Sequence, residues 1–161
     1  MLFAAAPALA HPAPFSYLDI SLHDGVADGT VTMHVLDPAH ELGITPAERL
    51  YTPGVLNARF KDIAANLDKG LFLRSGDRPL KLEWTGIVAV PEQSQVKLSY
   101  RIADVSAGKI SVRTALFPYD RQHQTFVNVY LDSELRQQWI FSHGAPRADL
   151  LLRHHPPGRW R

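Results

Sequence analysis

Histidine is the residue type in this sequence that is best suited to chemistry, because neutral imidazole binds nickel, copper and zinc and transfers protons near neutral pH. The eight histidines are His11, His23, His34, His40, His123, His143, His154 and His155. Between residues 11 and 142 none of them has the close spacing typical of metal sites, such as H-x-x-x-H or H-E-x-x-H. We therefore expect no resident cofactor, and we take His11, His34 and His123 as the candidate ligands if nickel or copper binds.

Two of these candidates also have a structural interpretation. His34 lies on the polar face of a predicted strand, where a solvated histidine is common. His123 shares a loop with Asp120, and the two residues suit either an acid–base or ligand pair, or a turn. In the second case Asp120 forms an Asx-type turn after Pro118 and the His123 side chain bonds to nearby backbone. We favour the turn, because the sequence places no third side chain to orient a reactive pair.

No other pattern in the sequence indicates catalysis. There is no cysteine, which excludes disulfides, thiolate metal sites and cysteine nucleophiles. The G-x-S-x-G turn of hydrolases, the phosphate-binding loop and the G-x-G-x-x-G motif are also missing from the sequence. We therefore expect a protein that is not an enzyme.

Charge and hydropathy restrict the partners. The formal net charge is +1, and an excess of arginine lies near the end of the sequence, at Arg147, Arg153, Arg159 and Arg161. The rest of the chain lacks the excess of positive charge that attracts nucleic acid, so we expect no nucleic-acid binding. No run of about 18 apolar residues occurs, and the sequence therefore predicts no membrane-spanning helix.

The first ten residues resemble the end of a secretory signal peptide. They are apolar and uncharged, and they finish in Ala8-Leu9-Ala10, an A-x-A cleavage pattern. A basic segment does not precede them, so either the start lies upstream or the stretch is only alanine-rich. As a signal-peptide remnant, residues 1–10 predict export to the periplasm and a new N-terminus at His11. An N-terminal histidine chelates copper(II) through its α-amine and its ring.

Alternating hydrophobicity predicts a mainly β domain over residues 11–142. Strands are predicted at 15–23, 30–36, 80–90, 96–102, 110–116, 125–131 and 134–141. The capping box Thr45-Pro46-Ala47-Glu48 predicts a helix, and Pro53-Gly54 interrupts it before an amphipathic helix that stops at Gly70. About seven strands favour an antiparallel, immunoglobulin-like β-sandwich with one or two helices inserted after the second strand. Residues 143–161 show neither the alternation of a strand nor the 3.6-residue repeat of a helix, and we expect a largely disordered tail.

The first two strands are predicted to form a hairpin. Asp24-Gly25 and Asp28-Gly29 both favour turns, so we place both between the strands. Alignment of the apolar faces then gives three cross-strand pairs: Leu22 with Val31, Ile20 with Met33, and Leu18 with Val35. The same register sets Asp19 beside His34, where the carboxylate would raise the histidine pKa.

A corner and a buried strand are predicted for residues 116–130. Pro118 has no N–H to donate to a sheet, so the preceding strand ends before it. Tyr119 and Asp120 then form a turn, and His123 anchors the corner. Because both faces of the following strand carry bulky apolar groups, we expect an interior strand.

Three stretches resemble one family of proteins. They are residues 11–18 (HPAPFSYL), residues 40–44 (HELGI) and residues 116–130 (LFPYDRQHQTFVNVY), of which the last is long and unusual. Together they are similar to the extracytoplasmic N-terminal region of bacterial HupE/UreJ-like membrane proteins. The resemblance covers roughly residues 11–142.

The resemblance implies a region that precedes membrane helices associated with nickel or cobalt uptake. The metal motifs credited with transport lie in those helices, so no transport residue carries over to this sequence. The leading hypothesis is a non-catalytic periplasmic accessory domain, tethered to the inner membrane in its full-length form, that binds a membrane protein or membrane-proximal partner or weakly presents metal. The unusual ending then indicates a truncation or a frame shift. The alternative hypothesis is a free exported β-sandwich that binds a metal ion or a small ligand.

Overall fold

Ten strands and two α-helices make up the part of the chain described by the structure, a computed structural model that covers residues 15–23, 26–103, 105, 108–142 and 148–152. Of residues 108–109 and 148–152 only the backbone is described. In chain order the elements are β1 (Phe15–His23), β2 (Val26–His34), α1 (Leu36–Leu42), a 3-10 turn (Ala47–Tyr51), α2 (Pro53–Gly70), β3 (Leu71–Ser75), β4 (Arg78–Leu80), β5 (Glu83–Val90), a second 3-10 turn (Pro91–Gln93), β6 (Gln95–Ile102), β7 (Gly108–Thr114), β8 (Gln124–Leu131), β9 (Glu134–Ser142) and β10 (Ala148–Leu152).

The strands form two sheets in a sandwich-like arrangement. The larger sheet has the order β5-β6-β2-β1-β8-β9, and the smaller has the order β10-β7-β3-β4. The prediction of a mainly β fold with helices after the second strand is therefore confirmed. The prediction of an entirely antiparallel fold is wrong at one pair, because β1 and β8 run parallel. The start of β8 lies beside the start of β1, with Gln124 opposite Phe15, so the two strands run in the same direction.

One hydrophobic core joins the inner faces of the strands to α2. Alternate residues of β1 are buried, as the period of two predicts. The helix contributes a buried stripe at helical spacing: Leu56, Ile63, Ala64 and Leu67. Burial of these side chains provides the main stabilisation of the fold, at roughly 1.5–3 kcal/mol for each fully buried large aliphatic side chain.

The hairpin of β1 and β2 forms, but the predicted register is wrong. Leu18 lies opposite Val31, and Leu22 lies opposite Ala27. The strand β2 begins at Val26, so two residues connect the strands, a length that suits an Asp-Gly pair. The second Asp-Gly pair, Asp28-Gly29, lies inside β2 instead of in the turn.

The helical region begins earlier than the capping box predicts. Helix α1 follows β2 almost directly and ends before Gly43, whose φ of 63° is a left-handed conformation that glycine adopts without strain. The capping box starts only a 3-10 turn, and Pro53 is the first residue of α2 instead of an interruption. The predicted stop at Gly70 is confirmed.

The strand β8 lies in the interior of the larger sheet, between β1 and β9, as predicted. Val127 and Val129 on its inner face are buried, whereas Phe126 and Tyr130 on its outer face are only half-buried. Burial is therefore complete on one face and partial on the other.

Five residues of the predicted disordered tail form β10, which pairs antiparallel with β7. The structure differs from the prediction at these residues. The other residues of the tail, the signal-like residues 1–10 and His11 lie outside the described residues. Among the helices of the described part, none is both long and apolar enough to cross a bilayer.

Candidate functional site

The described parts of the three stretches that carry the family resemblance, residues 15–18, 40–44 and 116–130, meet at one end of the larger sheet. His123, in the third stretch, is hydrogen-bonded to Ser16, in the first. Tyr119, also in the third, stacks on His40, in the second. The fold thus brings together residues that lie far apart in the sequence, and we describe this end of the sheet as the candidate site.

The centre of the site is a buried hydrogen-bond relay of His123, Ser16 and Thr125. Parallel pairing sets Ser16 opposite Thr125, and their hydroxyl oxygens lie 3.0 Å apart. The His123 Nε2 atom lies 3.0 Å from the Ser16 hydroxyl oxygen. The three side chains are 4%, 0% and 2% exposed, respectively. Each of the three side chains gains at least one partner here, which offsets part of the cost of placing it in the core.

Burial also sets the charge of His123. It lowers the pKa of His123 to about 4, and the nearby Asp120 carboxylate offsets only part of that effect. The imidazole is therefore neutral at physiological pH. Its Nδ1 atom is buried without a hydrogen-bond partner, and its ring packs edge-on against Phe117 with 4.9 Å between centroids. His123 thus anchors the corner before β8, as the sequence predicts.

The turn before His123 has the geometry expected of an Asx-type turn. The Asp120 Oδ1 atom accepts a hydrogen bond from the backbone N–H of Gln122 at 2.9 Å. The backbone N–H of His123 donates to the carbonyl oxygen of Asp120 at 3.1 Å. The Asx-type turn predicted for Asp120 is therefore confirmed, whereas the His123 side chain bonds to the Ser16 hydroxyl and not to nearby backbone as predicted.

Above the relay, Tyr119 joins this turn to α1. Its hydroxyl donates a hydrogen bond of 2.7 Å to Oδ1 of Asp37, and its ring stacks on His40 with 3.7 Å between centroids. Asp37 is 5% exposed, and its second oxygen, Oδ2, has no partner. Sequence analysis missed this contact, because 82 residues separate Asp37 from Tyr119.

Asp37 carries an unusual proton affinity. Burial raises the pKa of its carboxyl group to about 6, and the neighbouring Asp120 and Glu41 raise it further, while the hydrogen bond from Tyr119 acts in the opposite direction. Burial and the Asp37 carboxylate raise the pKa of the Tyr119 phenol well above its usual value. Tyr119 is therefore a hydrogen-bond donor at every physiological pH, and Asp37 titrates close to neutrality.

His34 does not contact the partner predicted for it. It lies opposite Gln95 of β6, whereas Asp19 lies opposite Thr30. The His34 Nδ1 atom accepts a hydrogen bond from the backbone N–H of Leu36 at 3.3 Å. Partial burial lowers the pKa of His34, so the predicted increase is wrong.

The candidate metal ligands do not form a ligand set within the described residues. No group of three or more histidine, aspartate or glutamate side chains is placed there to hold a metal ion. One ring nitrogen of His34 and one of His123 already have hydrogen-bond partners. A role for His11 stays a prediction, since that residue is not among those described.

An exposed patch covers the outside of the site. Leu36 and His40 lie one helical turn apart on α1, and Tyr119 stacks on His40. Leu36 is 45% exposed and Tyr119 is 42% exposed, although both are large and largely apolar. Glu41 and Asp120 place negative charge close to Asp37 beneath it. We call Leu36, His40 and Tyr119 the α1 patch.

A second polar arrangement crosses the outer face of the larger sheet. Asp19 accepts hydrogen bonds from Thr30 at 3.2 Å and from Asn128 at 2.8 Å, and Asn128 accepts one from Gln138 at 2.8 Å. The four side chains link β2, β1, β8 and β9 in a continuous chain. Beside it lies an open hollow of about 550 Å³, lined in part by Asp28 and Tyr130.

Comparison with known proteins adds no relative. No protein-family model matches the chain, and no curated protein matches it at a significant level.

Proposed function

We propose that this chain is a non-catalytic accessory domain that works outside the cytoplasmic membrane and binds the membrane helices of a HupE/UreJ-like nickel or cobalt uptake protein. The observation that carries the proposal is the meeting of the three resembling stretches at one end of the sheet. Stretches that only packed separate parts of the core would have no reason to share one end.

The chemistry of that end supports a binding role over catalysis. Ser16 and His123 have the residue types of a nucleophile and its base. Ser16 is 0% exposed, however, so a substrate would not reach its hydroxyl oxygen. The relay therefore holds the corner in place, and the contact with a partner falls to the surface above it.

The α1 patch has the properties of such a contact surface. Exposed leucine and tyrosine side chains provide apolar area, and tyrosine is enriched where proteins bind one another. The patch is held rigid, because Tyr119 is fixed by its hydrogen bond to Asp37 and by stacking on His40. A rigid surface loses little entropy on binding.

A binding assay with a matched control tests this function. The helix bundle of a HupE/UreJ-like protein is immobilised in lipid nanodiscs, and binding of the full chain is measured by surface plasmon resonance. We expect Leu36→Asp to weaken binding at least tenfold, since it places a charge in the apolar contact. Val88→Asp is the control, because Val88 is 55% exposed on β5, away from α1.

Two results would contradict the proposal. One is wild-type protein that does not bind the helix bundle. The other is equal weakening by both variants, which would show that any exposed apolar residue matters. In parallel, fractionation of cells that express the full-length tagged chain is expected to recover it outside the cytoplasm.

The second candidate function is that of a free exported domain that binds a small ligand. The hollow on the larger sheet favours it, because Asp28, Ser21, Ser99 and Tyr130 line it with hydroxyl and carboxylate groups. Such a lining suits a ligand that donates hydrogen bonds. A panel of small polar compounds is added to the wild type and to Ser99→Trp, whose tryptophan would fill the hollow. This candidate is supported if a compound raises the melting temperature of the wild type but not that of the variant. Metal titration tests the form of the candidate in which the ligand is a metal ion.

A further inference from the structure

Among the described residues, the strand β9 forms an edge of the larger sheet. Only β8 pairs with it within the described part of the chain. Natural edges are commonly protected by charged residues or proline. The first residues of β9 include Glu134 and Arg136, which form an ion pair with each other at 2.8 Å, but residues 137–142 (QQWIFS) contain neither charge nor proline. The opposite edge is different, because α2 packs against β5.

A β-bulge places two exposed apolar residues on one face of β9. Gln137 lies opposite Val129, and Leu135 lies opposite the next residue of β8, so Arg136 is the extra residue. As a result Leu135 shares the outer face with Ile140, although five positions separate them. These side chains are 52% and 54% exposed.

Gln138 lies midway between them and ends the chain of hydrogen bonds on the outer face. Its Nε2 atom donates to Asn128, which uses one of the two amide hydrogens. The second hydrogen and the carbonyl oxygen suit reciprocal pairing with another glutamine amide. The chain of hydrogen bonds thus ends at the sheet edge in an amide that can both donate to and accept from the same amide of a second copy.

We propose that two copies of this chain pair through β9, antiparallel, about a two-fold axis at Gln138. In this register Gln138 faces Gln138 of the second copy. Leu135 of each copy faces Ile140 of the other, which gives two equivalent pairs. The bulge absorbs Arg136, so outer-face residues meet outer-face residues throughout. Both larger sheets then form one continuous sheet, and the two edges satisfy each other's backbone N–H and C=O groups.

The inference goes beyond the proposed function, because it concerns a different surface. The α1 patch belongs to α1 and the 117–123 turn, whereas pairing uses only β9. A copy that pairs through β9 therefore retains its partner surface.

Cross-linking tests the register, and the natural lack of cysteine makes a single introduced thiol specific. Gln138→Cys places two thiols directly opposite each other, at a separation that a disulfide spans. Ser142→Cys is the matched control, since it lies on the same face but far from its counterpart in this register. We expect Gln138→Cys to form a covalent dimer under mild oxidation and Ser142→Cys to remain uncross-linked.

Sedimentation equilibrium tests the pairing without cysteine. The full chain is expected to sediment at twice its monomer mass, and Ile140→Lys to raise the dimer dissociation constant by about 2- to 30-fold, because it disrupts two cross-strand pairs. Val88→Lys, on the other edge, is expected to leave it unchanged. A monomeric wild type, equal cross-linking of both cysteine variants, or equal weakening by both lysine variants would overturn the proposal.

Discussion

The Nε2 atom of His123 lies 3.0 Å from the hydroxyl oxygen of Ser16, although 107 residues separate them in the chain. This bond ties the corner before β8 to the start of β1. The bond can form because β1 and β8 run parallel, which places the first residues of the two strands side by side. The contact therefore reports on the correct assembly of the larger sheet.

We expect His123→Ala to lower the free energy of unfolding by about 1–3 kcal/mol, because it removes the imidazole partner of the buried Ser16 hydroxyl, which then keeps only its bond to Thr125. Denaturant unfolding measures the change. His23→Ala is the control, since the side chain of His23 is 48% exposed at the end of β1. Any affinity for nickel or copper should stay nearly the same. Lost metal binding with unchanged stability would instead identify His123 as a ligand.

The local elements around this bond could be predicted from the sequence. The alternation of Leu18, Ile20 and Leu22 identifies β1 and its buried face. Pro118 and Asp120 identify the turn, because their backbone preferences are local. Helix α1 was missed, since seven residues that include Pro38 are too short for a helical period to be recognised.

The contacts between distant elements could not be predicted. Parallel pairing of β1 with β8 depends on how the chain returns from the smaller sheet, which no local pattern encodes. The hairpin register was missed because Asp28-Gly29 has the same turn preference as Asp24-Gly25. The contact of Asp37 with Tyr119 requires both of these long-range arrangements, so the candidate site emerges only in the folded chain.

Because the pKa of His123 is lowered in the folded state, the free energy of unfolding should fall as the pH falls. The folded state resists protonation until pH about 4, whereas the unfolded histidine binds a proton near pH 6.5. Its contribution is therefore complete above pH 6.5 and is lost as the pH falls towards 4, by about 3 kcal/mol. His123→Gln removes this titration and keeps a partner for Ser16. The difference between the unfolding free energies of wild type and variant should shrink as the pH falls from 7 to 4, and a constant difference would contradict the assignment.

The titration of Asp37 is expected to change the free energy of unfolding in the opposite direction, so that its contribution falls as the pH rises. Its pKa is raised to about 6 in the folded state, so the folded protein binds this proton more tightly than the unfolded chain does. The contribution is present below pH 3.8 and is lost as the pH rises through 6, by about 3 kcal/mol. Asp37→Asn keeps an acceptor for Tyr119 without a charge, and it should stabilise the protein at pH 8 by about 1–2 kcal/mol. Glu48→Gln, which removes an exposed carboxylate, is the control. A variant less stable than wild type at pH 8 would show that the charge is favourable.

Gly29 offers a test of close packing at the centre of the larger sheet. A Cβ atom at this position would lie 1.9 Å from the backbone oxygen of Asp19 and 2.7 Å from the hydroxyl oxygen of Tyr100. That hydroxyl donates to the same Asp19 oxygen at 2.7 Å, so neither neighbour moves without loss of this part-buried hydrogen bond. We therefore expect Gly29→Ala to lower the free energy of unfolding by about 3 kcal/mol or more, at the upper end of the range for overpacking.

Gly86→Ala is the control for this substitution. Gly86 also lies in a strand of the larger sheet, and a Cβ atom there would meet no atom within 4 Å. Loss of glycine flexibility in the unfolded chain alone would stabilise either variant by about 0.4–1 kcal/mol. Melting temperatures of the two variants therefore separate the effect of contact from that of chain entropy. Equal melting temperatures would mean that Tyr100 and Asp19 do not pack over Gly29 as the structure has them.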